Sequence, residues 1–411
     1  MTTTTTATTT ATATTAGAII IGGGCIGTSI ALHLARAGVR NVLLLERAHL
    51  CAGTTGQSGA IIRQHYSHAF TAIMARDSLH VFRHWRESIG YGDPRFVQSG
   101  VLVTAGEADA DALRANVAMQ QGVGIDTHLL TPDDVRALDP RITTDDLALA
   151  CWEPTAGYAD PVATVFAFVA AARAAGVTIR EGATVTDVRH ASGRVRGVTV
   201  VSGATGATVE TVDAPIVVNA ANIWGVGLLR RAGLELPIIA TRHPMAALRR
   251  PEGFGPAHTV ILDMARATYL LPRGDDTSLV GSINGADDAI TADPDTYAPG
   301  VSRAEIAHFT TEGVRRVPAL AGAVAQGGWA GLYDSSADAH PVLDEVPGIA
   351  GYYCAVGFSG HGFKLSPVFG QLLAARIIAG PDAAPALAPL RATRFADGTA
   401  LDTRYTAGVL A

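Results

Sequence analysis

Residues 18–27 read Ala18-Ile19-Ile20-Ile21-Gly22-Gly23-Gly24-Cys25-Ile26-Gly27, an apolar run that breaks into a glycine-rich turn and then opens a helical pattern through Ala37. Four consecutive apolar residues suit a strand buried on both faces. Glycines at such a turn allow φ > 0 and let backbone amides approach a ligand that a Cβ would hold off. The helix behind the turn points its free N–H groups and the positive end of its dipole at the same place, a site for a pyrophosphate. Gly38 follows where a C-cap glycine belongs, and the next apolar run, Val42-Leu43-Leu44-Leu45, ends in Glu46, 22 positions after Gly24. An acidic residue there is suited to the ribose hydroxyls of an adenosine. Strand, turn, helix and carboxylate together predict a doubly wound dinucleotide-binding unit, with NAD and FAD equally served.

A second turn of the same kind, Gly357-Phe358-Ser359-Gly360-His361-Gly362, starts 335 residues after Gly22 and again runs from a strand into a helix, which the pattern begins near Lys364. Between the two lie a helix over Phe70–Ile89, strand material over Phe96–Val103, and a polar, helical stretch over 107–150 with a good helix start at Thr131-Pro132. A further helix is expected over Asp160–Gly176. Strands near 177–180, 184–189, 196–201 and 207–212 read as a meander, and Val217-Val218-Asn219-Ala220-Ala221 as another buried strand. More strands follow over 240–281, a helix over 303–316, and strands at 324–332 and 351–356.

Composition narrows the class. With 411 residues, 48% of them hydrophobic, the chain can fill two domain cores. Its net charge of −6, from 37 acidic and 31 basic residues, gives no face for nucleic acid. Cys25, Cys51, Cys151 and Cys354 show no metal-binding spacing and are too few for a disulfide scaffold, so no metal and a cytoplasmic location are expected. No apolar run approaches the roughly 18 residues of a transmembrane helix. The Thr/Ala-rich residues 1–16 read as a disordered tail. The expected domains are a discontinuous cofactor domain over 17–95, 151–239 and 331–411, and a strand-rich substrate domain over 96–150 and 240–330.

Over nearly its whole length the chain resembles the D-amino-acid oxidase superfamily of FAD-dependent oxidoreductases, in particular its sarcosine oxidase and dimethylglycine dehydrogenase branch. The carriers are 19–31 with Glu46 and Arg47, Gly53-Thr54-Thr55-Gly56-Gln57-Ser58-Gly59 with Ile62-Arg63, the strand ending in Ala220-Ala221, and Gly357 to Lys364. The last is the most specific. The resemblance implies an α/β fold, a glutathione-reductase-type FAD domain carrying an antiparallel-sheet substrate domain. It implies that Gly22, Gly24, Cys25, Ile26 and Gly27 hold the pyrophosphate, that Glu46 and Arg47 meet the adenosine, and that Val185 meets adenine through its backbone. Thr54, Thr55, Gln57, Ser58, Ala220 and Ala221 complete the cofactor set, and Gly357, Ser359, Gly360, His361, Gly362 and Lys364 lie against the flavin ring. His361 reads as a turn residue held by packing rather than as an acid or base.

For chemistry, the resemblance places Arg63 and Lys364 as a clamp for a substrate carboxylate, with Tyr269, Tyr333 and Arg273 around the same cavity. It implies oxidation of a secondary or N-methyl amino acid by hydride transfer to flavin. The alternatives are a D-amino acid or glycine oxidase or dehydrogenase, an amine-tailoring flavoenzyme, or a non-catalytic flavoprotein subunit. Relatives that tether their flavin carry a histidine where this chain has Gln57, or a cysteine where it has Gly331. Neither replacement can form the bond, so dissociable FAD is expected, with His65 and Cys354 as the remaining attachment points. Sarcosine oxidases also place a lysine over the flavin to promote reaction with O₂; the matching residue here is Leu279, which favours another electron acceptor. A monomer or a homo-oligomer fits equally.

Overall fold

Ala18–Ile21 and Val42–Leu45 are buried at every position, as strands in the middle of a two-sided sheet must be. The computed structural model, which describes residues 14–203, 208–283, 291–402 and 405, places them side by side in a six-stranded sheet. Its order is Val342–Glu345, Tyr352–Val356, Val217–Asn219, Ala18–Ile21, Val42–Leu45, Thr178–Arg180. All neighbours run parallel except the outer pair Val342–Glu345 and Tyr352–Val356. Val217 faces Ile19 on one side and Tyr352 on the other. One short strand therefore joins the two distant glycine turns into a single sheet edge.

One face of this sheet is covered by helices Cys25–Arg36, Ala69–Arg83, Pro161–Ala174 and Gly362–Ala379, which share one apolar core. The first and last of these nearly touch: a Cβ at Gly370 would lie 2.2 Å from Ser29 Oγ. On the other face lie helix Asn222–Arg231 and a meander of Ala183–Ala191, Arg194–Ser202 and Thr208–Asp213. Thr14–Thr15 adds to the meander as a parallel strand beside Val212 and Asp213. Those two residues thus belong to the fold although they fall in the expected tail; residues 1–13 lie outside the described residues.

A second sheet of eight strands has the order Val324–Ser336, Ile238–Arg249, Thr277–Ser282, Thr268–Arg273, Val260–Asp263, Val101–Ala105, Leu149–Glu153, His128–Leu130. It is antiparallel except where Val260–Asp263 meets Val101–Ala105. Tyr269, Leu271, Leu279 and Met245 pack together on one face, while Leu270, Val280 and Leu248 on the other pack against Phe309 of helix Arg303–Arg316. That helix is tied down by Arg316, fully buried, whose guanidinium meets Asp263 at 2.6 Å and Asp146 at 2.9 Å.

Several sequence expectations need correction. The stretch 107–150 is helical over Ala110–Gly122, preceded by the 3-10 turn Glu107–Asp109, and over Pro132–Leu138; His128–Leu130 and Leu149–Glu153 are strands of the large sheet. His128–Leu130 is short and exposed at the sheet edge, so its pairing with Ala150–Trp152 comes from tertiary contact rather than local pattern. The Phe70–Ile89 helix breaks at His84 into Ala69–Arg83 and Trp85–Ser88. Thr131 does cap as expected, through a capping box with Asp134. Among the described residues no helix is long and apolar enough to cross a membrane.

Candidate cofactor and substrate site

The six-stranded sheet ends at a cavity of about 520 Å³ whose other wall comes from the eight-stranded sheet. From the first turn, Gly22, Gly24, Cys25 and Ile26 line it. Gly27 does not, but a Cβ there would sit 2.0 Å from the carbonyl oxygen of Gly22, so its glycine lets the helix close on the strand. Helix Cys25–Arg36 has Gly24 as an uncapped N-cap and no acidic residue in its first turn. Of its first amides, Cys25 N–H donates to Thr55 Oγ1 at 3.3 Å, and the rest of the turn is set to receive an anion. Burial pushes the Cys25 thiol up to about 11, so it brings no negative charge to the turn.

Glu46 and Arg47 line the adjoining end. Glu46 accepts from Gly23 N–H at 2.7 Å and Ala48 N–H at 2.9 Å, which fixes the turn against the second strand. Val185, Ala220, Ala221, Thr54, Thr55, Gln57 and Ser58 also line the cavity. Gln57 donates from Nε2 to Tyr297 Oη at 2.6 Å. Opposite it is Gly331, where a Cβ would come within 3.2 Å of Gln57 Cβ. The other attachment points lie off the cavity wall: Cys354 is fully buried in the central sheet, and His65 hydrogen-bonds Tyr405 and Gln120.

The second turn approaches from the far side. Gly360 and Gly362 line the cavity, while Gly357, Ser359 and His361 sit behind them. Gly360, at φ +82°, passes so close to Tyr333 that a Cβ would lie 2.7 Å from the ring. Helix Gly362–Ala379, like the first, starts with no side-chain cap and no acidic residue. Two uncapped helix N-termini therefore face one cavity. Asp334 underpins the turn: its carboxylate accepts from Gly357 N–H at 2.6 Å and its carbonyl from Ser359 N–H at 3.2 Å. Burial raises the Asp334 carboxyl to about 6 against the opposing effect of the Phe358 and Gly357 amides.

Arg63 and Lys364, 301 positions apart in sequence, are buried together behind the Gly360–Gly362 wall. Burial, followed by the Arg63 cation, lowers the Lys364 ammonium well below its ordinary range. Lys364 donates to Gly360 O at 3.1 Å; Arg63 lies 4.4 Å over the Tyr66 ring and bonds the His65 carbonyl. His361 Nδ1 lies 3.2 Å from Tyr66 Oη. Behind them Glu153, raised to about 7 by burial, accepts from Gln64 N–H. His65, Cys151 and Glu153 bring ligand-type atoms within 4.8 Å. Both ring nitrogens of His65 are engaged by Tyr405 and Gln120, and Cys151 Sγ by Thr127, which makes this cluster a hydrogen-bonded core.

Tyr333 lines the cavity, with the His243 ring stacked on it at 3.8 Å. Tyr269 lies just behind the wall, its hydroxyl 3.5 Å from Met245 Sδ. Arg273 is further off, beside the Ala159 carbonyl and Asp160. Leu279 is buried in the apolar cluster with Tyr269 and Met245, and no lysine is among the lining residues. Sequence reasoning missed Asn222, Trp224, His243, Met245, Asp295, Tyr297 and Asp334, which all line the cavity. Strand alternation could have found His243 and Met245 once Ile238–Arg249 was aligned to the wall. Asp295 and Tyr297 lie in a loop and carry no local signal.

A glycine-lined, twin-helix cavity at the end of a parallel sheet defines a dinucleotide-dependent oxidoreductase, and its helix N-termini, glycine approaches and the Glu46 carboxylate at its wall fit FAD. The model of the FAD dependent oxidoreductase family, DAO, matches residues 18–376, and the chain belongs to that family. It is 30% identical over 403 residues to sarcosine oxidase subunit beta of Arthrobacter sp, covering 95% of this chain and 94% of that one. It is 28% identical over 371 residues to mitochondrial sarcosine dehydrogenase of Homo sapiens, covering 88% of this chain; the chain spans 39% of that relative's length. Among solved structures, glycine oxidase from Geobacillus kaustophilus superposes with a TM-score of 0.77 at 25% identity, covering 93% and 99% of the two chains. L-proline dehydrogenase from P.horikoshii shares the fold, with a TM-score of 0.83 at 24% identity and coverage of 94% and 99%.

Proposed function

We propose that this protein oxidises the C–N bond of a carboxylate-bearing amine, a secondary or N-methyl amino acid of the sarcosine type, using dissociable FAD. The observation that carries the reading is the burial of Arg63 and Lys364 together beside the second glycine turn. An anion bound beside Arg63 and Lys364, behind the Gly360–Gly362 wall, would restore the Lys364 ammonium that burial and Arg63 lower, and the Arg fork matches a carboxylate. FAD, when bound, accepts the hydride from the carbon next to nitrogen, and the resulting imine hydrolyses. The protein's part is to orient and to exclude water. The clamp would hold the carboxylate, Tyr333 and His243 would wall the amine side, the N-terminus of Cys25–Arg36 would meet the pyrophosphate, and that of Gly362–Ala379 would stabilise negative charge on the flavin. With no lysine among the residues that line the cavity, a quinone or an electron-transfer protein is the better acceptor than O₂. A cytoplasmic location and a monomeric or homo-oligomeric state remain part of the proposal.

The test is anaerobic flavin bleaching with a panel of N-methyl, secondary, D- and primary amino acids. Bleaching by sarcosine-type substrates is expected, and bleaching by D-amino acids alone would overturn the substrate class. Arg63→Ala should raise KM for the carboxylate substrate about 100-fold, the loss of a bidentate charge-assisted pair worth roughly 3 kcal/mol. An unchanged KM removes the clamp.

A further inference from the structure

Residues 293–300 cross from one sheet to the other. At both ends this segment is fixed to the eight-stranded sheet by backbone: Ala292 N–H donates to Ala240 O at 2.9 Å, and Ala330 N–H to Pro299 O at 2.8 Å. Arg242 adds bonds to the Ala298 and Gly300 carbonyls. Between these anchors Asp293 turns the chain, accepting from Asp295 N–H with its side chain and from Tyr297 N–H with its carbonyl. From the turned part, Pro294, Asp295 and Tyr297 line the cavity.

Its bonds to the nucleotide-binding elements are of a different kind. Asp295 Oδ1 accepts from Arg47 Nη1 at 2.8 Å and from Trp224 Nε1 at 2.9 Å, and Arg47 itself lies 4.4 Å over the Trp224 ring. Tyr297 Oη accepts from Gln57 at 2.6 Å. All three are side-chain bonds. The Arg47 and Asp295 side chains are 44% and 64% exposed, so water competes for that pair and salt screens it. A segment with stiff backbone anchors and a weakly held middle can lift without unfolding either sheet.

We propose that residues 294–297 form a clasp over bound FAD, held shut by Asp295 on Arg47 and Trp224 and by Tyr297 on Gln57, and that cofactor exchange proceeds through its opening. The proposal rests on the assignment of this cavity to FAD. It gives Gln57, which offers no nucleophile to a flavin, a role in retaining the cofactor through Tyr297. It puts the Asp295–Arg47 half of the clasp at the adenosine end, beside Glu46.

The experiment is release of FAD from the reconstituted holoprotein, followed by the rise in flavin fluorescence on dilution. Asp295→Ala should speed release about tenfold and Tyr297→Phe about threefold, as expected for loss of one weak pair plus an indole bond and of one neutral bond. Raising salt should speed release from the wild type and leave Asp295→Ala unaffected. Melting of the apoprotein should be unchanged in both variants. If both variants release FAD within twofold of the wild type while melting normally, the clasp is wrong. If the wild type takes up no FAD at all, the cofactor assignment fails instead, and the two failures are told apart by the same titration.

Discussion

Asp334→Asn separates a buried charge from its hydrogen bonds. Asp334 is 1% exposed, and no cation is among the groups acting on its carboxyl. Burial moves it from 3.8 to about 6, opposed by the amides of Gly357 and Phe358 and by the Asn222 side chain. A folded value above the unfolded one means the folded protein binds the proton more tightly. Stability from this group is therefore fully present below the unfolded value and is lost as pH rises through about 6. Above that, the ionised form costs about 3 kcal/mol, from 1.36 kcal/mol per pH unit over the gap of about 2.2. Asparagine keeps an acceptor for Gly357 N–H and never ionises. Its hydrogen-bond mismatch adds a fixed offset of about 1 kcal/mol that does not depend on pH. The assay is urea unfolding of apo wild type and variant at steps from pH 4.5 to 8. Over that range the stability difference should move by about 2 of the 3 kcal/mol in the variant's favour, the remainder having been lost below pH 4.5, and should level off above about pH 6. His33, His258 and His340, each lowered to about 4 by burial, contribute the opposite slope, yet equally in both proteins. A difference constant to about 0.5 kcal/mol across the range would refute the buried, ionisable carboxylate.

Three further single substitutions, and one double variant, probe the first turn and the fold's supports. Gly27→Ala forces a Cβ to within 2.0 Å of the Gly22 carbonyl, a backbone atom that cannot swing aside, so apoprotein stability should fall by about 3 kcal/mol, read by urea midpoint. Gly24→Ala meets only Thr55 Oγ1 at 2.9 Å and should leave the apoprotein within about 1 kcal/mol of wild type while weakening FAD at least tenfold by fluorescence titration, because its Cβ enters the pyrophosphate approach. Arg316→Met leaves Asp263 buried without its cation and should cost about 3–5 kcal/mol; Arg316→Met with Asp263→Leu should recover most of that loss.

Much of the nucleotide side could be read along the chain because its signals are local. A strand of four apolar residues, glycines at spacing set by one turn, and a carboxylate at the next strand's end lie within 30 positions. The fold class followed from that stretch, and the family from the second turn. Local pattern failed over 107–150, where two edge-side strands owe their state to partners elsewhere in the large sheet.

By itself the sequence determined that Gly22–Gly27 and Gly357–Gly362 would each be a strand-to-helix turn, since positive φ and backbone approach are properties of glycine at its own position. Only the tertiary structure decided what the turns face. The parallel pairing of Val217–Asn219 with both Ala18–Ile21 and Tyr352–Val356 brings two uncapped helix ends to one cavity. The same packing buries Lys364 against Arg63, places Asp334 under the second turn, and swings Asp295 and Tyr297 across the mouth. Those are through-space relations between residues tens to hundreds of positions apart, and no periodicity or spacing in the chain encodes them.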